Sequence, residues 1–241
     1  MEKTNENIAA VIPVYNNAAT VKAVAEGVLQ HIAQVIVVDD GCTDTNIAVL
    51  FKDMPVTVLT HEHNKGKGAA LLTALAYLKE KTNATHMVTI DADGQHFPSD
   101  LPLFINAIGK EPRTFFVGAR ELHVKNTPTK NKLGRLLSNA WYFFETGKHL
   151  IDTQSGFRAY PIRLISQIRF VGKTFDFETE VLTRASWAGI AVKELPISVW
   201  YAEEGKRITH FNPLKDTLRI SAMHVRLIGR RLLPFPHKKV T

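Results

Sequence analysis

Apolar positions in the first half of the chain come in short unbroken runs separated by helically spaced ones. The runs are residues 8–14 (IAAVIPV), 34–40 (QVIVVDD), 56–60 (VTVLT), 86–92 (HMVTIDA) and 115–119 (FFVGA). Their length and β-branched content predict strands buried inside a sheet. Between them, residues 19–31 and 67–81 repeat their apolar positions with the period of a helix. Strands alternating with helices predict an α/β fold: a mostly parallel central sheet flanked by helices.

The second half is less regular. Residues 130–147 (KNKLGRLLSNAWYFFETG) make an amphipathic helical pattern. Leu133, Leu136, Leu137, Ala140 and Phe144 fall on one stripe, and Arg135, Asn139 and Tyr142 on the opposite one. A glycine-containing turn (DTQSGFRAY, 152–160) follows, then a helix with an acidic start (176–189) and a strand pair (192–201). There is no internal repeat, low-complexity tract or clear linker.

Open parallel sheets bind ligands beyond the carboxyl ends of their strands, and the polar clusters fall there. PVYNN follows the first strand, DDGCTDT the second and DADGQH the fourth. Alternate residues leaving a strand point the same way, so Asp91, Asp93 and Gln95 can face one point. Two adjacent carboxylates need something positive between them. With an amide carbonyl they suit Mg2+ or Mn2+, leaving positions for phosphate oxygens. The alternative is a loop that caps the helix starting near Ser99.

Of Asp39 and Asp40, one is expected to serve the following turn and the other to accept from a nucleobase N–H. Pro13, Tyr15, Asn16 and Asn17 form a rigid turn with an aromatic wall. Gly66 and Gly68, beside Lys65 and Lys67 at a helix start, read as an anion site or as close packing. Their spacing is not that of a P-loop.

Composition narrows the classes. Cys42 is the only cysteine, which excludes an intramolecular disulfide and makes a reducing cytoplasm the expected compartment. No stretch approaches the roughly 20 apolar residues of a membrane span, and MEKTNENIAA is no signal peptide. The histidines lack zinc-site spacing, His96 standing out only for its place beside the acid cluster, and GFRAY is not a serine-hydrolase elbow. The net charge of +7 belongs to the tail, where residues 206–241 carry nine Lys/Arg against Asp216 alone. The chain thus divides into a body, 1–205, and a basic amphipathic segment, 206–241.

In that segment Pro213, Leu214, Leu218, Ala222, Val225, Ile228 and Leu232 share one stripe. Lys215, Arg219, Arg226 and Arg230 lie beside it. Such a helix either lies in an anionic membrane interface or docks on its own protein.

In this order IPVYNN, VVDDGCTDT, NKGKGAAL, VTIDADGQH, VGAR, DTQSGFRAY and FETEVLTRASWAG resemble the family 2 glycosyltransferases with the GT-A fold. The branch they look most like is that of the polyprenyl-phosphate (dolichol-phosphate-type) enzymes, over about residues 7–205. The resemblance implies a nucleotide-diphosphate-sugar donor of UDP or GDP type and a divalent metal. It also implies an inverting transfer to a polyprenyl-phosphate or other lipid acceptor, at the cytoplasmic face of a membrane.

Position by position, it implies that Pro13, Tyr15 and Asp40 contact the nucleoside, and that Asp91, Asp93 and Gln95 hold the metal and diphosphate. Asn17 stands where the family often has Glu. Arg120, Arg135 and Asn139 match positions that hold the acceptor's phosphate; the branch often has Ser at the last, and here Ser138 is adjacent. Asp152 matches an acid proposed as base or acceptor-site residue. A phosphate acceptor is already anionic, whereas a hydroxyl would need a carboxylate such as Asp152 to take its proton.

The C-terminal membrane helices of many such enzymes have no counterpart in this sequence. Three rival readings are a phosphohydrolase using Asp91, a non-catalytic sugar-nucleotide or membrane-binding module, and a nucleic-acid binder on the basic tail. The first usually places its DxD after the first strand. The last lacks interleaved aromatic residues, so nucleic acid is not an expected partner.

Overall fold

The computed structural model describes residues 7–121, 129–201, 213–233, 237 and 239–241. Among them one seven-stranded sheet runs through the molecule. Its strands are β1 (Ile8–Val14), β2 (Gln34–Asp39), β3 (Val56–Thr60), β4 (His86–Thr89), β5 (Phe115–Arg120), β6 (Arg158–Pro161) and β7 (Val192–Ile197). Their order is β3-β2-β1-β4-β6-β5-β7. Neighbours pair in parallel except around β6, which is antiparallel to both β4 and β5.

The helices are α1 (Ala18–Leu29), α2 (Ile47–Leu50), α3 (Lys67–Lys81), α4 (Leu101–Lys110), α5 (Thr129–Thr146), α6 (Ile162–Ile165), α7 (Asp176–Trp187) and α8 (Pro213–Leu232). β1 shows why the core has two layers. Ile8, Ala10, Ile12 and Val14 pack with Val21 and Val28 of α1 and Phe104 of α4. Ala9 and Val11, on the other face, join Leu71 and Leu78 of α3 and Val181 and Leu182 of α7. Each buried Val, Leu, Ile or Phe among them contributes about 1.5–3 kcal/mol. From β1 the sheet extends through β2 and β3 on one side and through β4 on the other, and a crevice opens at such a reversal.

The structure departs from the sequence pattern at three places near that crevice. The fourth strand stops at Thr89, so Asp91 and Asp93 lie on a turn with Gly94 at φ +71°. Part of the expected 152–160 turn is a strand, β6, set between β4 and β5. Of the expected strand pair only β7 forms. Residues beyond it run past the acidic turn, where Trp200 N–H donates to the Gln95 carbonyl (2.9 Å) and Val199 bridges His96.

Two helices present unexpected faces. An amphipathic helix ordinarily turns its apolar stripe inward, but α5 does the reverse. Arg135, Ser138, Tyr142 and Glu145 are buried, whereas Leu133, Leu136, Leu137 and Phe144 are exposed, Leu136 to 65%. Polar partners satisfy the inner face. Tyr142 Oη lies 2.7 Å from Ser186 Oγ, and Glu145 accepts from Thr183 Oγ1 (2.6 Å) and lies 2.7 Å from His224 Nδ1.

α8 docks on the body through Met223 and Leu227 against Trp187, and Arg226 Nη2 donates to Glu180 (3.2 Å). That docking face is not the stripe seen in the sequence. Leu218, Val225 and Leu232 of the stripe remain exposed. Lys206, Arg207, Lys238, the boundary at 205/206 and the side chains of Pro213 and Leu214 lie outside the described residues. Among the described residues no helix is long and apolar enough to cross a membrane.

Candidate active site

A crevice of about 410 Å³ opens at the carboxyl ends of β1, β2 and β4. Pro13, Tyr15 and Asn17 line it at the end of β1, Asp40 after β2, Asn64 and Gly66 after β3, and Asp91 and Asp93 after β4. Lys67, Phe175 and three residues of α8, Lys215, Asp216 and Arg219, also line it. The turn after β1 is fixed by Asn16, at φ +49°, whose Oδ1 accepts from Thr43 N–H (2.8 Å).

Both acids at the end of β2 serve the backbone. Asp39 accepts from Cys42 N–H (2.8 Å). Asp40 accepts from Lys65 N–H and Gly66 N–H (both 2.9 Å) and lies 2.7 Å from His61 Nδ1. Asp40 therefore shapes the 61–66 loop while lining the crevice. Burial pushes the Cys42 thiol up to about 12, with Asp39 adding to the effect, so it is no nucleophile at neutral pH.

The positive partner that the acidic turn required is Lys67. Its Nζ lies 2.6 Å from Asp91 Oδ1 and 3.0 Å from Glu178 Oε2. Burial alone would lower the lysine pKa and raise that of the aspartate. The attraction outweighs burial, so Lys67 is raised and Asp91 lowered, and both are charged. Gly156 permits this contact, since a Cβ there would lie 2.6 Å from Asp91 Oδ2 and from Lys67 Nζ. Gly68 is a packing glycine, for a Cβ would meet Phe177 Cβ at 2.4 Å.

Asp93 Oδ1 accepts from Gln95 N–H (3.0 Å). Among the described residues no three His, Cys, Asp or Glu form a ready-made metal cage. Asp91 and Asp93 instead share the crevice lining. Hard oxygen donors placed at a crevice fit a divalent cation taking its other ligands from phosphate and water.

A second cluster surrounds Asp152, which is fully buried. It accepts from Arg120 through Nε (2.6 Å), Nη2 (2.8 Å) and backbone N–H (3.2 Å), and from Arg135 Nη1 (3.3 Å). Burial would raise its carboxyl, but the Arg120 bonds and both guanidinium charges hold it below the ordinary range. An anion so enclosed suits a counter-ion better than a proton acceptor. Asn139 is also committed to the protein. Its Nδ2 donates to the Ile151 carbonyl (2.7 Å), and its Oδ1 accepts from Thr153 N–H (3.1 Å). Asn139 thus orders the 151–153 loop, and Ser138 joins it through Thr153 Oγ1 (2.8 Å).

Several residues of this site were not singled out from the sequence. Glu178 shares Lys67, and Glu194 accepts from Ile151 and Asp152 N–H (2.7 and 2.8 Å). Arg158 is fully buried and donates to the carbonyls of Ser155 (2.6 Å), Thr153 (2.9 Å) and Glu178. The acidic helix start and the GFR triplet were their only signals. His96 sits between the clusters and feels Asp91, Lys67, Arg120 and Asp152. Burial drives its pKa down to about 4, so the ring is neutral at pH 7, and neither nitrogen has a partner among the described residues.

A model of the family described as Glycosyl transferase family 2 matches residues 9–168. A UDP-N-acetylglucosamine–dolichyl-phosphate N-acetylglucosaminyltransferase of Methanococcus voltae is 30% identical, covering 80% of this chain and 85% of its own. Polyprenol monophosphomannose synthase of Mycolicibacterium smegmatis is 27% identical over 81% of this chain and 78% of its own. Among solved structures, glucosyl-3-phosphoglycerate synthase of Mycobacterium tuberculosis, in complex with Mn2+, UDP-glucose and phosphoglyceric acid, superposes with a TM-score of 0.67. It is 20% identical, and the match covers 95% of this chain and 80% of that one. The fold is that of the GT-A glycosyltransferases.

Proposed function

The chain belongs to glycosyl transferase family 2, and on that premise we propose that it moves a sugar from a nucleotide diphosphate to a polyprenyl phosphate with inversion. The observation that carries this reading is the pairing of two clusters at one sheet edge. An acidic crevice with Lys67 at its centre lies beside the Arg120–Asp152–Arg135 cluster, with His96 between them. The names of the Methanococcus and Mycolicibacterium relatives point to the same acceptor class.

In this reading the nucleoside rests against Tyr15, and the diphosphate lies near Lys67, Lys215 and Arg219. Asp91 and Asp93, with Gln95 beside them, would hold Mg2+ or Mn2+. When bound, such an ion stabilises the charge that develops on the departing diphosphate. Arg120 and Arg135 hold the acceptor phosphate, and Asp152 fixes their guanidinium groups. The acceptor oxygen attacks the face of the anomeric carbon opposite the leaving group. The bond to the diphosphate then breaks with its electron pair. An anionic acceptor needs no base, which matches the enclosure of Asp152. A lipid acceptor also places the protein at a membrane surface, on its cytoplasmic side.

Short-chain prenyl phosphate, UDP- and GDP-sugars and Mg2+ or Mn2+ test the reading directly. Transfer is expected with one donor type, is stopped by EDTA, and is lost in Asp93→Asn with the melting curve unchanged. Transfer that survives EDTA would remove the metal. Transfer only to hydroxyl acceptors would remove the lipid phosphate.

A further inference from the structure

α5 is inside-out, and the surface it creates is continuous with α8. Trp141 stacks on His224 (ring centroids 5.0 Å apart), and Arg231 of α8 donates to the Phe144 carbonyl of α5. Between the helices runs an apolar groove of about 590 Å³, lined by Trp141, Phe143, Phe144, Ile228, Leu232 and Arg231. Leu133, Leu136 and Leu137 extend the apolar surface along α5, and Val225 extends it along α8, all exposed. An apolar surface of this extent marks an interaction site.

Charge identifies the occupant. α5 carries one acid, Glu145, and α8 one acid, Asp216, and both are buried. The exposed charged groups of the two helices are therefore basic, among them Lys132 and Arg231. A surface of leucines and aromatics on two helices whose own exposed charges are cations complements an anionic lipid interface.

We propose that α5 and α8 together form the face by which this protein sits on an anionic bilayer, with the outer stripe of α5 as its inserted element. The proposal rests on the lipid-phosphate reading only for its place in the reaction. The inner face of α5 carries Arg135 of the acceptor cluster, so one helix would meet both the chain and the phosphate of one lipid.

Vesicle flotation tests this with phosphatidylglycerol–phosphatidylcholine and with phosphatidylcholine alone. The full chain should bind the mixed vesicles, and Trp141 emission should shift to the blue, a shift absent in Trp141→Phe. High salt should release only part of the protein, because salt screens the cations but not the inserted stripe.

The double variant Leu136→Glu, Phe144→Glu changes exposed positions only. It should keep its melting temperature and its transfer to a short-chain acceptor, yet bind vesicles at least about tenfold more weakly. The proposal is overturned if the double variant floats like the parent or if the parent ignores anionic vesicles. It is also overturned if the parent elutes as a dimer that Phe144→Glu disperses. Vesicle binding without sugar transfer to any prenyl phosphate would leave this surface standing and remove the functional reading instead.

Discussion

At the scale of single residues, Asp152 sets the electrostatics of the cluster it forms with Arg120 and Arg135. Its pKa is depressed in the fold, so its stabilisation is complete above the unfolded value of about 3.9 and disappears as pH falls through the lower folded value. Asp152→Asn should therefore cost about 3–5 kcal/mol at pH 7, where it strands two arginines. In denaturant titrations the gap to the parent should close only below about pH 4. Gly156→Ala tests the other cluster. A Cβ at 2.6 Å from Asp91 and Lys67 forces that pair apart, so donor affinity should fall at least about tenfold, measured by calorimetry, for a stability loss of about 1–3 kcal/mol. The acids were legible in the sequence because they end apolar runs. Their partners were not. Lys67 reaches Asp91 from α3 and Glu178 reaches Lys67 from α7, and only the order of strands and helices brings those ends together.

At the scale of elements, periodicity located α5 and α8 but not the faces they bury. The inner stripe of α5 is polar because Ser186, Thr183 and His224 meet it from distant segments. α8 has a second apolar edge, Met223 and Leu227, that the more conspicuous stripe concealed. The consequence is that α8 does not behave as a separable tail. Truncation after residue 212 would uncover Trp187, leave Glu145 without His224, and remove Lys215 and Arg219 from the crevice. Stability should drop by about 3–5 kcal/mol in thermal or chemical melts. Affinity for the nucleotide sugar should drop with it. Donor affinity equal to that of the full chain would show that α8 only borders the crevice.

At the scale of the whole molecule, the parallel half of the sheet was readable from its spacing of strands and helices, and β6 was not. Four residues, RAYP, are too few to show a period, and the glycine before them reads as a turn. Yet β6 joins β4 to β5, through Val88 with Ala159 and Phe116 with Ala159. Its reversed direction also brings the 152–157 loop to the edge where the parallel strands end. The β1–β2 and β2–β3 pairs close short connections, whereas β6 closes longer ones against β4 and β5. Loop closure comes before the contacts that reward it. Pulse-labelled hydrogen exchange during refolding should protect β1–β3 amides before those of β6, and nucleotide binding should return before acceptor binding. Because the strand that welds β4 to β5 also carries the 152–157 loop, closing the sheet and setting the arginine cluster in place are one event.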